Sequence, residues 1–269
     1  MLRLAAFVLV FGCLVAIERL SPLRERGPSR ARRMGNNFVL LAIGSGCLRA
    51  LGPLSVVGAA FYAQYHHIGL AHWLDWRFAL AFAVAFLVLD LGMYVQHRAL
   101  HRWALLWRLH RVHHSDRDLD VSSGVRFHPG EILLSAVYKS ALVVFLGAPP
   151  TAVVVFEMVL SSSSLFTHSN VAIAPRLERA LRAVLVTPAM HWIHHSIIAT
   201  ESKRNFGFFL SCWDRWFNTY QEAPGAGLPA MALGVDGLDG ECEGVWRLLR
   251  QPTINVATAG EAYTNPSPR

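Results

Sequence analysis

The chain has 269 residues, of which 53% are hydrophobic and only 16% are charged. Soluble domains carry about a quarter charged residues, so this composition indicates a membrane protein. The net charge of +7 does not by itself indicate nucleic acid. The basic residues stand in short segments beside apolar runs, which is typical of the cytoplasmic face of a membrane protein. We therefore expect membrane contact and no nucleic-acid partner.

Four apolar runs predict an all-α, integral membrane helical bundle. About 20 apolar residues cross the hydrocarbon layer as a helix. The second run is broken by Arg49 and Pro53, and the fourth is divided by Gly147, Pro149 and Pro150. Because proline cannot continue a helix, the fourth run predicts a hairpin that enters and leaves on the same side. We expect three or four spans, counting the hairpin. The runs cover residues 4–17, 37–62, 78–95 and 132–166.

The arginines orient this bundle. Five of them crowd into residues 24–33, and cytoplasmic loops carry an excess of basic residues. That loop is then cytoplasmic, residues 64–76 lie outside, and the histidine-rich segments return to the inside. No small-residue cleavage site follows residues 4–17, so a retained helix is favoured over a signal peptide.

Three parts follow along the chain. We expect N-terminal membrane helices at residues 1–76, a catalytic domain containing the histidine motifs at residues 77–220, and a tail at residues 221–269. Within the tail, residues 245–249 predict a short amphipathic helix and residues 253–269 a frayed end. The four cysteines form no CxxC pair, which argues against a disulfide framework or a thiolate metal site.

Three segments place histidines three or four residues apart. They are QHRALH, HRVHH and HWIHH. On a helix such residues share one face, so each segment presents two or three imidazoles to one point. Eight convergent imidazoles exceed the three protein ligands of a catalytic zinc ion and suit two metal ions. Imidazole alone does not distinguish iron, zinc, copper and nickel. The eight are His97, His101, His110, His113, His114, His191, His194 and His195.

Together these motifs resemble the fatty acid hydroxylase/sterol desaturase superfamily of membrane-bound, histidine-rich di-iron oxygenases. The resemblance covers about residues 80–220. It consists of Asp90 with QHRALH, then HRVHHSD, RFHPGE, HWIHHS and the closing segment WFNTY. It implies an all-helical membrane protein whose histidine-rich helical cap lies on the cytoplasmic face of an inner or plasma membrane.

The resemblance also implies a chemistry. Two Fe ions would be bound by the eight histidines, with O2 as co-substrate and zinc as a candidate occupant in the isolated protein. The reaction would hydroxylate or desaturate a lipid-like substrate: a sterol, a fatty acyl chain, a carotenoid or an ether lipid, which could also be cleaved. The chain has no GxGxxG fingerprint for a nicotinamide or flavin, so electrons would come from a separate electron-donor protein.

Six further residues have roles to be tested. His168 in FTHSN resembles the family's isolated histidine after the hairpin, and we expect it to be a ninth ligand. His128 precedes a proline, so ligation and a structural or supporting role stay equally open. Asp90 lies two helical turns before His97. We expect it to hydrogen-bond a ligand histidine, with a salt bridge to arginine as the alternative. Further candidates for that supporting role are Asp116, Glu131 and Asp214.

Two features leave room for other interpretations. In WFNTY, Trp216 and Asn218 stand where the family's pattern has smaller residues or glycine, which concerns packing near the site. The aromatic residues between Phe206 and Phe217 could line a substrate entrance, but interfacial anchoring is the preferred interpretation. His66, His67 and His72 fall in the outer segment and are treated as ordinary.

A membrane metal transporter or metal-binding protein is the main functional alternative. Transporters place their ligands near the bilayer midplane, often in two related halves. Here the histidines follow the apolar runs and the two halves of the chain are unlike. An oxidoreductase is therefore favoured.

Overall fold

Helices form the architecture, as the apolar runs predict. The computed structural model describes residues 2–25, 27, 29–50, 52, 55–238, 240 and 242–255. Within that part of the chain the only β-type pairings are three isolated bridges. From residue 256 onward, the frayed end expected at residues 253–269 lies outside the described residues. The helices are α1 (Leu2–Leu20), α2 (Arg30–Ala50), α3 (Val56–Tyr65), α4 (Leu70–Trp73), α5 (Phe78–Arg102), α6 (Ala104–His114), α7 (Pro129–Leu146), α8 (Pro150–His168), α9 (Pro175–Arg182), α10 (Pro188–His194), α11 (Ala199–Ser202), α12 (Cys212–Trp216) and α13 (Val245–Arg250), with 3-10 turns at Val121–Val125 and Gln251–Thr253.

Three helices, α5, α7 and α8, are long and apolar enough to cross a membrane. α7 and α8 form the expected hairpin. Gly147 ends α7 in the left-handed conformation, with φ 65°, and Pro150 begins α8. Proline suits the first turn of a helix because the amide that it lacks would have no partner there. The hairpin arms have 18 and 19 residues.

Within the described part of the chain, the first two apolar runs form helices that do not fit a complete span by both length and composition. α1 includes Arg3, Glu18 and Arg19. The second run falls into two helices, α2 and the ten-residue α3, on either side of the break predicted by Arg49 and Pro53. The chain therefore has three helices that fit a complete span by length and composition, among the residues described.

An apolar core holds α3, α5, α7 and α8 together. Its buried residues include Leu89 of α5, Val143 of α7 and Phe156 of α8. The Phe156 ring meets Phe86 edge to face, with ring centroids 5.6 Å apart. This core fixes the direction of α5 relative to the hairpin, and so places the histidines at the ends of these helices.

The hairpin tip packs against the segment that leads into α4. Gly69 has φ 105° and ψ 165°, a conformation that residues with a Cβ rarely adopt. A Cβ added at Gly69 would lie 2.2 Å from the backbone nitrogen of Gly147. The hairpin tip, with its neighbour His72, therefore lies at the C-terminal end of α7. At 1.5 Å per residue, it is about 27 Å from the residues that begin that helix.

Replacing Gly69 with alanine is expected to lower the free energy of unfolding by at least about 1 kcal/mol, because both φ and the close approach to Gly147 oppose a Cβ. The matched control is Gly46→Ala in α2, where an added Cβ meets nothing within 4 Å. The control should be neutral, or more stable by up to about 1 kcal/mol. Unfolding in mixed detergent micelles measures both, and equal stabilities would contradict the packing of the tip.

A buried ionic network joins α1 and α2 to the cap formed by the segments around α6 and α10. Arg33 donates to Asp116 at 2.9 Å and to Asp120 at 2.5 Å. Arg30 donates to the fully buried Glu18 at 2.6 Å. These pairs join α1 to α2 and fix the cap on α2.

Part of the tail also packs on the cap. α13 agrees with the helix predicted at residues 245–249, and its Leu248 is buried with Leu40 and Val112. Arg126, fully buried, donates to the carbonyl of Cys242 at 2.8 Å. The division at residues 1–76, 77–220 and 221–269 stays a prediction.

Candidate metal centre

Two helices bring the first histidine segments together. α5 ends at Arg102, and Trp103 takes an extended conformation, with φ −108° and ψ 124°, before α6 begins. This one-residue break turns α6 back against the end of α5. Because residues four apart share a helix face, His97 and His101 then oppose His110 and His114.

The remaining histidines come from the ends of two other helices. His168 is the last residue of α8. Thr187 caps α10, its hydroxyl accepting from the backbone nitrogen of Met190 at 3.3 Å. Pro188 then starts the short helix that carries His191 and His194. Capping at a threonine followed by proline is a common helix start.

All nine histidines expected as ligands meet in two groups. In each group, one nitrogen of every member lies within 4.8 Å of those of the others. None of the nine is more than 2% exposed. The groups adjoin, because the ring of His114 stacks on that of His195 with centroids 4.3 Å apart. The first group is His97, His101, His110, His114 and His194, and the second is His113, His168, His191 and His195.

Backbone carbonyls fix the orientation of four of these rings. In each case Nδ1 donates its proton to the carbonyl oxygen, and a neutral imidazole then has only a lone pair at Nε2. The four lone pairs point away from these carbonyls and into the two groups. The bonds are His97 to Phe206 at 2.8 Å, His113 to Arg126 at 3.1 Å, His168 to Ser164 at 2.6 Å and His194 to Arg204 at 2.8 Å.

A carboxylate fixes a fifth ring. His110 donates from Nδ1 to Oε1 of Glu131 at 2.7 Å, and Glu131 is itself buried. Glu131 lies in the first turn of α7. Of the carboxylates considered for a supporting role, it is the one that contacts a histidine of the two groups directly among the described contacts. Such a bond orients a metal-binding ring and makes it more basic.

The nitrogen pairs inside the groups fit metal ions. The Nε2 atoms of His113 and His168 are 2.9 Å apart, and those of His97 and His110 are 3.1 Å apart. All four rings already donate from Nδ1. In each pair, the lone pair on Nε2 of one ring therefore faces the lone pair on Nε2 of the other. Two nitrogens bound at about 2.1 Å to one ion, at right angles, lie about 3.0 Å apart.

Protonation does not relieve these contacts. Burial, followed by the neighbouring His168, holds the pKa of His113 well below its ordinary value. The pKa of His194 is likewise well below its ordinary value, through burial and then His110. Its Nε2 is buried and has no hydrogen-bond partner among the described residues. A cation is the partner that these neutral imidazoles need, and two groups can hold two ions.

The other four histidines lie outside both groups. His128 caps α7, where its Nδ1 accepts from Gly130 at 3.0 Å and its Nε2 donates to the carbonyl of Leu249 at 3.1 Å. Both of its nitrogens are therefore used in hydrogen bonds within the chain. His66, His67 and His72 lie near the hairpin tip, away from the two groups.

Among the described residues, Asp90 forms neither the expected hydrogen bond to a ligand histidine nor the alternative salt bridge to arginine. Its Oδ2 accepts from the indole of Trp213 at 2.8 Å and from the backbone of Leu210 at 3.2 Å. Seven residues separate it from His97, which is about 10 Å along the helix axis and beyond direct contact. Asp90 instead joins α5 to the segment that carries α12.

Asp214 supports the histidines indirectly, through the backbone segment that bonds to His97. Its carboxylate accepts from the backbone nitrogens of Phe206 and Gly207 at 2.8 and 2.9 Å, and the carbonyl of Phe206 holds His97. Asn218 has φ 56°, a conformation that asparagine tolerates better than most residues. This explains how asparagine takes the place of a smaller residue in WFNTY.

A cavity of about 610 Å³ adjoins the first group. It runs between α1, α2, α3, α5, α7 and α8, and His97 and Phe208 line one end. Among the aromatic residues at 206–217, only Phe208 lines it. Phe206 packs on the rings of His97, His101 and His194, whereas Trp216 is 71% exposed, as expected of an interfacial residue.

Known proteins resemble the chain in the same region. It matches the model of the fatty acid hydroxylase family over residues 82–219. It is 29% identical over 234 residues to the ornithine lipid hydroxylase OlsE of Rhizobium tropici, covering 83% of this chain and 69% of that protein. It is also 29% identical over 150 residues to alkylglycerol monooxygenase of Homo sapiens, covering 55% of this chain and 32% of that protein.

A third relative is a very-long-chain aldehyde decarbonylase of Oryza sativa subsp. indica. It is 27% identical over 206 residues, covering 72% of this chain and 30% of that protein. The chain thus spans about a third of the length of the second and third relatives. No solved structure matches it.

Proposed function

The chain belongs to the fatty acid hydroxylase family, and from this premise we propose that it is a membrane-bound, non-haem di-iron oxidoreductase. It would use O2 to hydroxylate or desaturate a lipid-like substrate. The observation that carries the proposal is the pair of adjoining, buried histidine groups, one of which borders a cavity among apolar helices.

The protein's own residues supply the setting for this reaction. Two bound iron ions would activate dioxygen for the oxidation of a C–H bond. The backbone carbonyls and Glu131 hold the rings so that Nε2 is free to bind metal. The cap excludes bulk water, since the nine histidines are buried. Glu131 also accepts a hydrogen bond from Nδ1 of His110, which directs Nε2 of that ring into the first group.

The substrate follows from the cavity and the relatives. Ligand cavities commonly measure about 300–1,000 Å³, and this one is lined by methionine, leucine and valine side chains between the hairpin and α2. The relatives are named for an ornithine lipid and an alkylglycerol. We propose a membrane lipid or a molecule like it, with sterols, fatty acyl chains, carotenoids and ether lipids as the classes to be compared by mass spectrometry of products.

The proposal includes an orientation and a partner. The cap and both histidine groups would lie on the cytoplasmic face of an inner or plasma membrane, because residues 24–33 are rich in arginine. The catalytic part would be residues 77–220, between membrane helices at 1–76 and a tail at 221–269. A separate electron-donor protein would reduce the metal centre from the cytoplasmic side.

Anaerobic purification with metal analysis tests the function. After reconstitution with ferrous iron we expect about two ions per chain, and dioxygen consumption that requires iron, a reductant and lipid together. Labelled dioxygen should place its oxygen in a hydroxylated product. Metal uptake into sealed vesicles without dioxygen consumption would instead support a transporter and contradict the oxidoreductase.

Replacing Glu131 with glutamine is expected to weaken metal binding and activity by roughly 10–100-fold, the usual effect of losing a bond to a metal-binding histidine. The glutamine oxygen can still accept from His110 but carries no charge. Chelator competition measures the affinity, and the absorption spectrum of the metal centre should change with it. The control Glu222→Gln changes an exposed carboxylate and should leave both unchanged. Equal affinities in the two variants would contradict the supporting role.

A further inference from the structure

Charged side chains lie far inside the hairpin, away from the histidines. Lys139 of α7 donates to Oε1 of Glu157 in α8 at 2.5 Å, and Arg3 of α1 donates to Oε2 of Glu157 at 2.9 Å. Both hairpin residues stand between apolar turns of helices that fit a membrane span. Ionisable groups in such segments are costly and usually mark a binding site or an ion path.

These charges line the same cavity as His97, at its other end. Arg49 of α2 lines it as well, and it has no acidic partner among the described ion pairs. We call Arg3, Arg49, Lys139 and Glu157 the cationic end of the cavity. It has three cations and one carboxylate, an excess of two positive charges. One cation would suffice to neutralise Glu157, so the cluster has excess positive charge with which to attract an anion.

Helix geometry gives the distance between the two ends. Glu131, which contacts His110, is eight residues before Lys139 on α7, or about 12 Å along the axis. On α8, Glu157 is eleven residues before His168, or about 16 Å. The wall between the ends is largely apolar and includes Ile132, Val56 and Leu160. This arrangement suits an extended hydrocarbon chain with an anionic group at one end.

The cationic end is open to molecules from outside the chain. The side chain of Arg3 is 48% exposed, against 11% for Glu157, and Arg49 is exposed. An amphiphile can therefore reach the cluster at Arg3 and Arg49, while its apolar part lies along the buried wall towards His97.

We propose that the cationic end binds the anionic group of the substrate, a carboxylate or a phosphate, and thereby holds a carbon about 12–16 Å away at the metal centre. The identification of the bound molecule as a substrate rests on the proposed function. The binding site itself does not, because it is formed by side chains apart from the histidines.

Equilibrium binding to the full chain in uncharged maltoside micelles, without reductant, tests the site. The probes share one alkyl chain: hexadecanoate, hexadecyl phosphate, methyl hexadecanoate and hexadecyltrimethylammonium. We expect at least one anion to bind about tenfold more tightly than the ester, as for a hydrogen bond to a charged group. The stronger of the two anions identifies carboxylate or phosphate as the natural group. Equal binding of the ester and both anions, or preference for the cation, would overturn the proposal.

Variants locate the site. Arg49→Gln and Lys139→Met should each reduce the preference for the anion to about threefold or less, while ester binding stays the same. Arg49 is exposed, so its variant tests the site even if Lys139→Met does not fold. The control Arg179→Gln removes an exposed charge of α9 and should keep the full preference. An anion preference that survives both cavity substitutions would refute the location. These binding measurements need no turnover. A failure of the proposed lipid oxidation and a failure of this binding site therefore give separate results.

Discussion

Replacing His194 with alanine is expected to reduce the metal content of the reconstituted protein from about two ions per chain to about one. His194 holds its Nδ1 on the carbonyl of Arg204 and offers a buried Nε2 with no protein partner among the described residues. Losing a ligand should cost more than the roughly 10–100-fold effect of losing an outer hydrogen bond. Dioxygen consumption should therefore fall by more than about a hundredfold.

His128→Asn is the matched control for this result. His128 stands between the same histidine segments, but its side chain caps α7 and bonds to Leu249. Asparagine is itself a good capping residue, so the variant should keep both ions and most of its activity. Elemental analysis of the two variants side by side measures the difference. If His128→Asn loses an ion and His194→Ala does not, the assignment of the two groups is wrong.

Replacing Arg33 with methionine is expected to lower the free energy of unfolding by about 3–5 kcal/mol, the usual cost of removing one partner from a buried ion pair. Arg33 is 5% exposed and contacts Asp116 and Asp120. Methionine fills a similar volume but removes the positive charge that Arg33 places beside the carboxylates of Asp116 and Asp120. Unfolding in mixed detergent micelles gives the free energies.

The same network makes stability depend on pH. Burial alone would raise the pKa of Asp116, but Arg33 and then Arg126 outweigh it and hold that pKa below its ordinary value. A carboxyl whose pKa is lowered in the folded state stabilises the protein above its ordinary pKa, about 3.9. That contribution is lost as pH falls through the lower, folded value. The difference between wild type and Arg33→Met should therefore be largest near neutral pH and shrink at acidic pH.

Arg32→Met provides the control for this comparison. Arg32 is adjacent in the chain, yet its side chain is 73% exposed and reaches Glu243 only at 3.7 Å. Exposed pairs of this kind contribute about 0–1 kcal/mol. If the two arginine variants lose the same stability, the buried network does not fix the cap to α2.

The sequence did not predict how the histidines divide between the two groups, since His113 lies in a different group from His110 and His114. It was sufficient to predict the pairs four residues apart, because helical spacing fixes which rings share a face. His97 and His101 illustrate this, since any helix over those residues places both on one side. The hairpin was predictable for a similar reason, as Gly147 and Pro150 leave the chain few conformations. Local rules determine both features.

Features that depend on distant backbone were not predictable. Every residue has a carbonyl, so nothing in the sequence distinguishes those of Phe206 and Arg126 as the acceptors of His97 and His113. Asp90 shows a different error: it shares a helix face with His97, but the rise of the helix already places it about 10 Å from that residue. Its actual partner, the indole of Trp213, depends on tertiary packing. Lys139 and Glu157 did leave a signal, because each interrupts an apolar run.

Because the histidines are spread along the chain, the ribosome makes them at different times. His97 and His195 are 98 positions apart, and a ribosome adding about 5–20 residues per second needs roughly 5–20 s to make the interval. α5, α7 and α8 emerge before the last ring does. Each group includes a ring from residues 191–195. On the proposed assignment, delivery of both cofactor ions is therefore a late maturation step that follows insertion of the helices into the bilayer.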